Sequence, residues 1–267
     1  MPKIDRNYAI GVFDSGLGGL TVVKELMRQL PQEDIVYYGD TARVPYGTKS
    51  KESIIRFSKE NTEILLKHNV KMIIVACNSS SSYALGELKK NFDLPILGVL
   101  YPGARQAALS TKNFKVGVIA TSATIASQRY IKVLKQLNPA IEVFSQPCPL
   151  FVPLVEEGWL DRNITRQIAS EYLACLKKAE IDTLIMGCTH YPLLRNTLQQ
   201  VMGKQVILID SARALAEEVK NLLQRSQTAK VKRARAKYKF LISDKPQEFK
   251  KIAKNFLGYD IKKVIKV

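Results

Sequence analysis

KMIIVACNSSS at 71–81 and DTLIMGCTHYP at 182–192 follow one plan. In each, a short apolar run ends on a cysteine, and a polar residue (Asn78 or Thr189) follows it. A second pair repeats in the same way. IGVFDSGLGGL at 10–20 and VGVIATSATI at 116–125 are both apolar runs that end in small polar residues before a helical stretch. Self-similarity at a spacing of roughly 110 residues is the signature of a duplicated unit.

Working outward, further apolar runs at 8–14, 34–40, 95–100, 115–121, 142–148, 205–210 and 237–243 are rich in Val and Ile and too short for helices. Amphipathic stretches lie between them, among them LTVVKELMRQL, SIIRFSKENTEILLKHN, ITRQIASEYLACLKKAE and ALAEEVKNLLQR. Strand alternating with helix predicts parallel sheets covered on both faces, with ligands at the carboxyl ends of the strands. The expected fold is α/β. It has two pseudo-symmetric α/β domains with parallel-rich sheets, residues 1–97 plus 210–267 and residues 98–209, and an active site at the domain interface. Each half then contributes one strand-end cysteine.

Composition narrows the class. The 267 residues are 46% hydrophobic, enough for a well-packed core, and no apolar run reaches the length of a membrane span. The N-terminal segment MPKIDRNYAI lacks a signal-peptide core, so a cytoplasmic chain is expected, with its four cysteines as free thiols. There is no CxxC pair and only two histidines, so no structural metal site is expected. The net charge is +17, and about ten of those charges follow Thr228, in KVKRARAKYK and the terminal lysines. Without aromatic interleaving or a nucleic-acid motif, that excess reads as a solvated basic face rather than a nucleic-acid surface.

Each motif carries a plain reading beside a chemical one. Cys77 closes a buried strand as a small hydrophobe would, yet the polar run after it can cap a helix and bind a carboxylate. His190, two residues beyond Cys188, is either a satisfied core histidine or a partner of that thiol. Asp14 caps a helix or serves a site. Pro45-Tyr46-Gly47 is a turn, and Glu156 reads as a first-turn helix acid. Cys148 and Cys175 have no polar surroundings; YLACLKKA places Cys175 in a helix core. A dinucleotide fingerprint after the first strand, with Asp40 as its ribose acid, fails because position 21 is Thr rather than Gly.

Taken together, GVFDSGLGGLTV, YYGDTARVPYG, VACNSSSS, GVIATSAT, CPLFVPLVEEG, GCTHYP and IDSA resemble the glutamate racemases, cofactor-independent bacterial enzymes. The resemblance spans Tyr8 to Ala212. It implies interconversion of L- and D-glutamate without a cofactor, feeding peptidoglycan synthesis and hence the cell wall. It assigns Cys77 and Cys188 as the two acid/base residues. Asp14, Ser15, Tyr46, Gly47, Asn78, Ser79, Thr121, Thr124, Thr189 and His190 fall on its substrate-binding positions. Asp14 beside Cys77, and Glu156 with His190 beside Cys188, match its supporting groups. This chain has Ser79-Ser80-Ser81 where the family usually has Thr-Ala-Ser; Ser79 keeps the hydroxyl.

The expected reaction is a two-base proton transfer, one cysteine removing the α-proton and the other donating from the opposite face. By the resemblance, Cys188 deprotonates L-glutamate and Cys77 deprotonates D-glutamate. A carboxylate at Asp14 would raise the Cys77 thiol, so Asp14 either orients the substrate ammonium or accepts a proton. The rival readings are a racemase for aspartate or another acidic amino acid, a DNA- or topoisomerase-binding role for the basic C-terminal face, and a Cys188–His190 hydrolase that leaves Cys77 idle. A homodimer is left open.

Overall fold

The computed structural model describes residues 5–231 and 235–267. Among these residues, ten strands form two sheets. The first takes β1 (Ala9–Asp14), β2 (Ile35–Gly39), β3 (Val70–Val75), β4 (Ile96–Gly98), β9 (Tyr238–Ile242) and β10 (Val264–Lys266), in the order β10-β9-β2-β1-β3-β4. The second takes β5 (Lys115–Ala120), β6 (Glu142–Pro147), β7 (Thr183–Gly187) and β8 (Ile207–Asp210), in the order β6-β5-β7-β8. Every ladder is parallel. The run β2-β1-β3-β4 matches β6-β5-β7-β8 strand for strand, so the duplication heard in the sequence is a duplication of topology.

β1 is buried along its whole length, and all but the first residue of β5 is buried. That is why both read as continuous apolar runs rather than alternating ones. Helices cover the faces. The helix Ser211–Arg225 buries Leu215, Ala216, Val219 and Leu223 and packs against both Leu20–Gln29 and Leu100–Ser110. One apolar cluster therefore runs from Val12 and Leu20 of the first sheet's layer to Leu184 and Leu198 of the second's.

Three local expectations change. The strands that precede the cysteines stop short of them, β3 at Val75 and β7 at Gly187, so both thiols sit in the loops beyond the ladder. β10 joins the first sheet as a short edge strand that the apolar runs did not announce. Cys175 is exposed, because its helix Asn163–Lys178 buries Thr165, Ala169, Leu173 and Leu176, and Cys175 lies about 200° around the axis from Leu173. Of the basic run at 230–239, residues 232–234 lie outside the described residues. Lys230 is turned inward onto Asp34 at 2.6 Å rather than into solvent. No helix among the described residues is long and apolar enough to cross a membrane.

Candidate active site

In a parallel sheet the loops at the carboxyl ends of the strands gather on one side. Here those loops, from β1, β2, β3, β5, β6 and β7, surround a cavity of about 340 Å³. Cys77 lines it from the first sheet and Cys188 from the second. They are 6% and 7% exposed, nearly buried yet still bordering the cavity. Ser15, Tyr46, Gly47, Asn78, Ser79, Thr121, Glu156, Thr189 and His190 line the same cavity. Asp14 and Thr124 stand directly behind this lining.

The surroundings of the two sulfurs differ. Cys77 is the N-cap of the helix Asn78–Tyr83 and makes no side-chain capping bond of ordinary geometry, although the Ser80 amide and hydroxyl lie near enough to favour its thiolate. Burial, and then the Asp14 carboxylate, push its thiol up to about 11. Asp14 is fully buried, caps no helix, and accepts from the Gly16 amide at 3.0 Å and the Thr189 hydroxyl at 3.5 Å. Burial raises its own carboxyl above the usual range. Cys188 instead faces a relay. Its sulfur lies 3.8 Å from His190 Nδ1, and His190 Nε2 lies 3.0 Å from Glu156 Oε1. Burial disfavours the imidazolium, but the contacts with Cys188 and Glu156 outweigh it and lift His190 to about 10. Glu156 ends the helix Phe151–Glu156 rather than opening it, contrary to the first-turn reading.

At the cavity wall lies a triangle of hydroxyls drawn from both halves. Ser79 Oγ is 3.0 Å from Thr121 Oγ1 and 3.1 Å from Thr124 Oγ1, and the two threonines are 3.1 Å apart. Three hydroxyls that satisfy one another can turn their protons toward an incoming carboxylate at small cost. Tyr46 lines the cavity with its ring, while its hydroxyl is turned away onto the Asp40 carboxylate and accepts from Asn61 Nδ2 at 3.1 Å. Asp40 is thereby committed to Tyr46, Arg43 and Ser243.

Two features escape a reading of the sequence. Tyr130, on the helix Arg129–Leu137, donates to Asn78 Oδ1 at 2.8 Å across the halves, leaving Nδ2 as the free donor end of that amide. An apolar wall of Val44, Pro149, Val152 and Pro153 closes the cavity. The glycines at 16–19, read as giving a ligand room, also give room to the other half. A Cβ on Gly18 would sit 2.1 Å from Thr189 Oγ1 and 2.5 Å from His190 Nδ1. Among the described residues no group of His, Cys, Asp and Glu has the spacing of a metal site.

Two matched α/β halves closing on one cavity, each presenting a buried thiol, place the protein among the racemases. The chain belongs to the Asp/Glu/hydantoin racemase family, whose sequence model matches residues 10–219. It is 46% identical over 250 residues to a glutamate racemase from Geobacter metallireducens, covering 94% of this chain and 93% of that protein. Among solved structures, a glutamate racemase isoform from Bacillus anthracis superposes with a TM-score of 0.95 at 40% identity, covering 98% of both chains. A glutamate racemase from Francisella tularensis in complex with D-glutamate gives 0.92 at 38%, again over 98% of each.

Proposed function

We propose that this racemase interconverts L- and D-glutamate by moving a proton between the α-carbon and two sulfurs, Cys77 and Cys188, with no cofactor. The observation that carries the reading is the placing of those two buried thiols, one from each sheet, on a single cavity. In the L-to-D direction the Cys188 thiolate takes the α-proton, and Cys77, still a thiol because burial and Asp14 hold it near 11, delivers its own from the opposite face. His190, kept protonated with Glu156 behind it, compensates the charge on Cys188. Ser79, Thr121 and Thr124 hold one substrate carboxylate, with Ser15, Asn78 and Thr189 available to the rest. Fixed donors of this kind stabilise the carbanion without reorganising. Asp14, lying behind the lining, acts on Cys77 rather than on the ligand.

We assign the substrate as glutamate because relatives matched across nearly the whole chain are glutamate racemases. The product would supply peptidoglycan synthesis in the cytoplasm. We further infer that residues 1–97 plus 210–267 and residues 98–209 are the two units that hold the substrate between them.

Enantiomers have equal free energy, so kcat/KM is the same in both directions for wild type and every variant. Cys77→Ala therefore abolishes turnover of both enantiomers, followed by loss of circular dichroism from pure L- or D-glutamate. In deuterated water each enantiomer yields product labelled at the α-carbon. Retained turnover in Cys77→Ala, or unlabelled product, overturns the two-sulfur scheme; equal turnover of aspartate overturns the substrate assignment.

A further inference from the structure

Ser80 is fully buried, three residues beyond Cys77 in the first turn of the helix that Cys77 caps. Several buried hydroxyls are satisfied locally, whereas those of Ser80, Ser82 and Ser211 have no partner among the described residues; of these three, only Ser80 lies in the first turn of the helix that Cys77 caps. Ser58 donates to the Ile54 carbonyl at 2.7 Å and Thr62 to the Ser58 carbonyl at 2.8 Å, each four residues back. Ser81, beside Ser80, donates to the Val75 carbonyl at 2.9 Å. The Ser80 hydroxyl makes no such bond and has no partner among the described residues. An orphaned buried hydroxyl is destabilising, and a back-bond within the helix would be its ordinary remedy.

In the helical geometry Ser80 is the third residue after the Cys77 N-cap, the position whose side chain reaches back toward the cap. At an N-cap, the side chain three residues earlier accepts from the amide of the third helical residue, which here is Ser80. A neutral thiol is a weak acceptor and makes no cap bond here. A thiolate is a strong one.

We propose that the Ser80 hydroxyl is a donor held in reserve for the Cys77 thiolate, unpaired while Cys77 carries its proton and paired when Cys77 has given it up. This rests on the reading of Cys77 as an acid/base residue. The proton balance is simple. In the L-to-D direction the Cys77 S–H bond breaks as the new α-C–H bond forms, the electron pair stays on sulfur, and Ser80 Oγ–H turns to that charge without transferring its own proton. In the D-to-L direction the same bond stabilises the base before it attacks. Against burial and Asp14, the Ser80 amide, the Ser15 side chain and the Ser80 hydroxyl all act to lower the Cys77 thiol. The site thus holds its reacting sulfur between an anion that favours the thiol and a hydroxyl that favours the thiolate.

Ser80→Ala separates this from a packing role. It removes an unpaired polar atom from a buried site, so the melting temperature is expected to hold or rise. kcat/KM for both enantiomers is expected to fall roughly tenfold or more, the effect of losing a hydrogen bond to a charged group. The second measurement is the rate at which iodoacetamide alkylates Cys77 as pH is raised, read by peptide mass spectrometry; its midpoint should move to higher pH in Ser80→Ala. Unchanged kcat/KM, an unmoved alkylation midpoint, or an activity loss tracking a fall in melting temperature overturns the proposal. Cys77→Ala, run alongside, distinguishes the failures. If that variant is active, the role of Cys77 is wrong; if it is dead and Ser80→Ala is normal, only the role of Ser80 is wrong.

Discussion

Glu156 stands in the last turn of its helix, where a carboxylate meets the negative end of the aligned peptide dipoles. The helix gains nothing from it; His190 does. His190 titrates at about 10 because the contacts with Cys188 and Glu156 overcome its burial. A base whose folded pKa is raised lends stability that is complete below its unfolded value, near ~6.5, and is lost as pH climbs through the folded one. The window thus runs from neutrality to about 10. Glu156→Gln keeps an acceptor for Nε2 and removes the charge, lowering the top of that window. The basic limb of kcat/KM, set in the wild type by His190 and then by Cys77 near 11, is expected to move down by about one pH unit or more. The stability gap between variant and wild type should close as pH approaches 10. Coincident limbs would show that the carboxylate does not reach Cys188 through the imidazole. The residue types of this relay are visible in GCTHYP and VEEG, whereas the pairing of positions 34 residues apart is not; only the fold supplies it.

The loop from β1 to the helix Leu20–Gln29 shows what an element adds to its residues. It carries Ser15 and Gly16 to the cavity and, at Gly18, lies so close to Thr189 and His190 that a methyl group has no place. Gly18→Ala must push the two halves apart at the Cys188 side. A displacement of that order is expected to lower kcat/KM about 100-fold, with a far smaller change in secondary structure by circular dichroism. Gly86→Ala is the control, since a Cβ there meets nothing within 4 Å and the site is helical, so activity stays and stability rises by about 0.5–1 kcal/mol. Equal effects from both would mean that the close approach at Gly18 has no bearing on catalysis. Elements of this kind were legible in part. Nine strands announced themselves as Val- and Ile-rich runs, overshooting because apolar character continues past the last ladder pair, as Ala76 and Cys77 do beyond β3. β10 stayed silent because only Val264 and Ile265 of its three residues are apolar, they are flanked by Lys262, Lys263 and Lys266, and none of the three is fully buried. Tyr130 stayed silent because it falls in phase with Val133 and Leu134 on a core-facing helix, where an aromatic residue needs no other reason to be present.

At the scale of the whole molecule, the chain leaves the first sheet, builds the second, and must return to place β9 beside β2. The return is fastened at the end of the first sheet remote from the cavity. Lys71 Nζ donates to Glu33 Oε2 at 2.6 Å, to the Thr228 carbonyl at 2.9 Å and to the Arg6 carbonyl at 3.1 Å. Glu33 Oε1 accepts from the Lys230 amide at 2.7 Å, and both charged side chains are sealed from solvent. Breaking such a pair from one side strands a buried charge, so Lys71→Met is expected to cost about 3–5 kcal/mol, or roughly 10 °C in melting temperature for a chain of this length. Lys71→Met with Glu33→Leu should recover much of that loss, because replacing both partners leaves no unpaired charge. Lys71 lies at the start of β3 and Cys77 beyond its far end, a separation of about 20 Å at the rise of an extended strand. Well below the melting temperature of each variant, kcat/KM should therefore stay within about twofold of wild type. A Lys71→Met protein that melts normally yet loses activity would show that the fastening of the return reaches the cavity, and that the two ends of this sheet are coupled rather than independent.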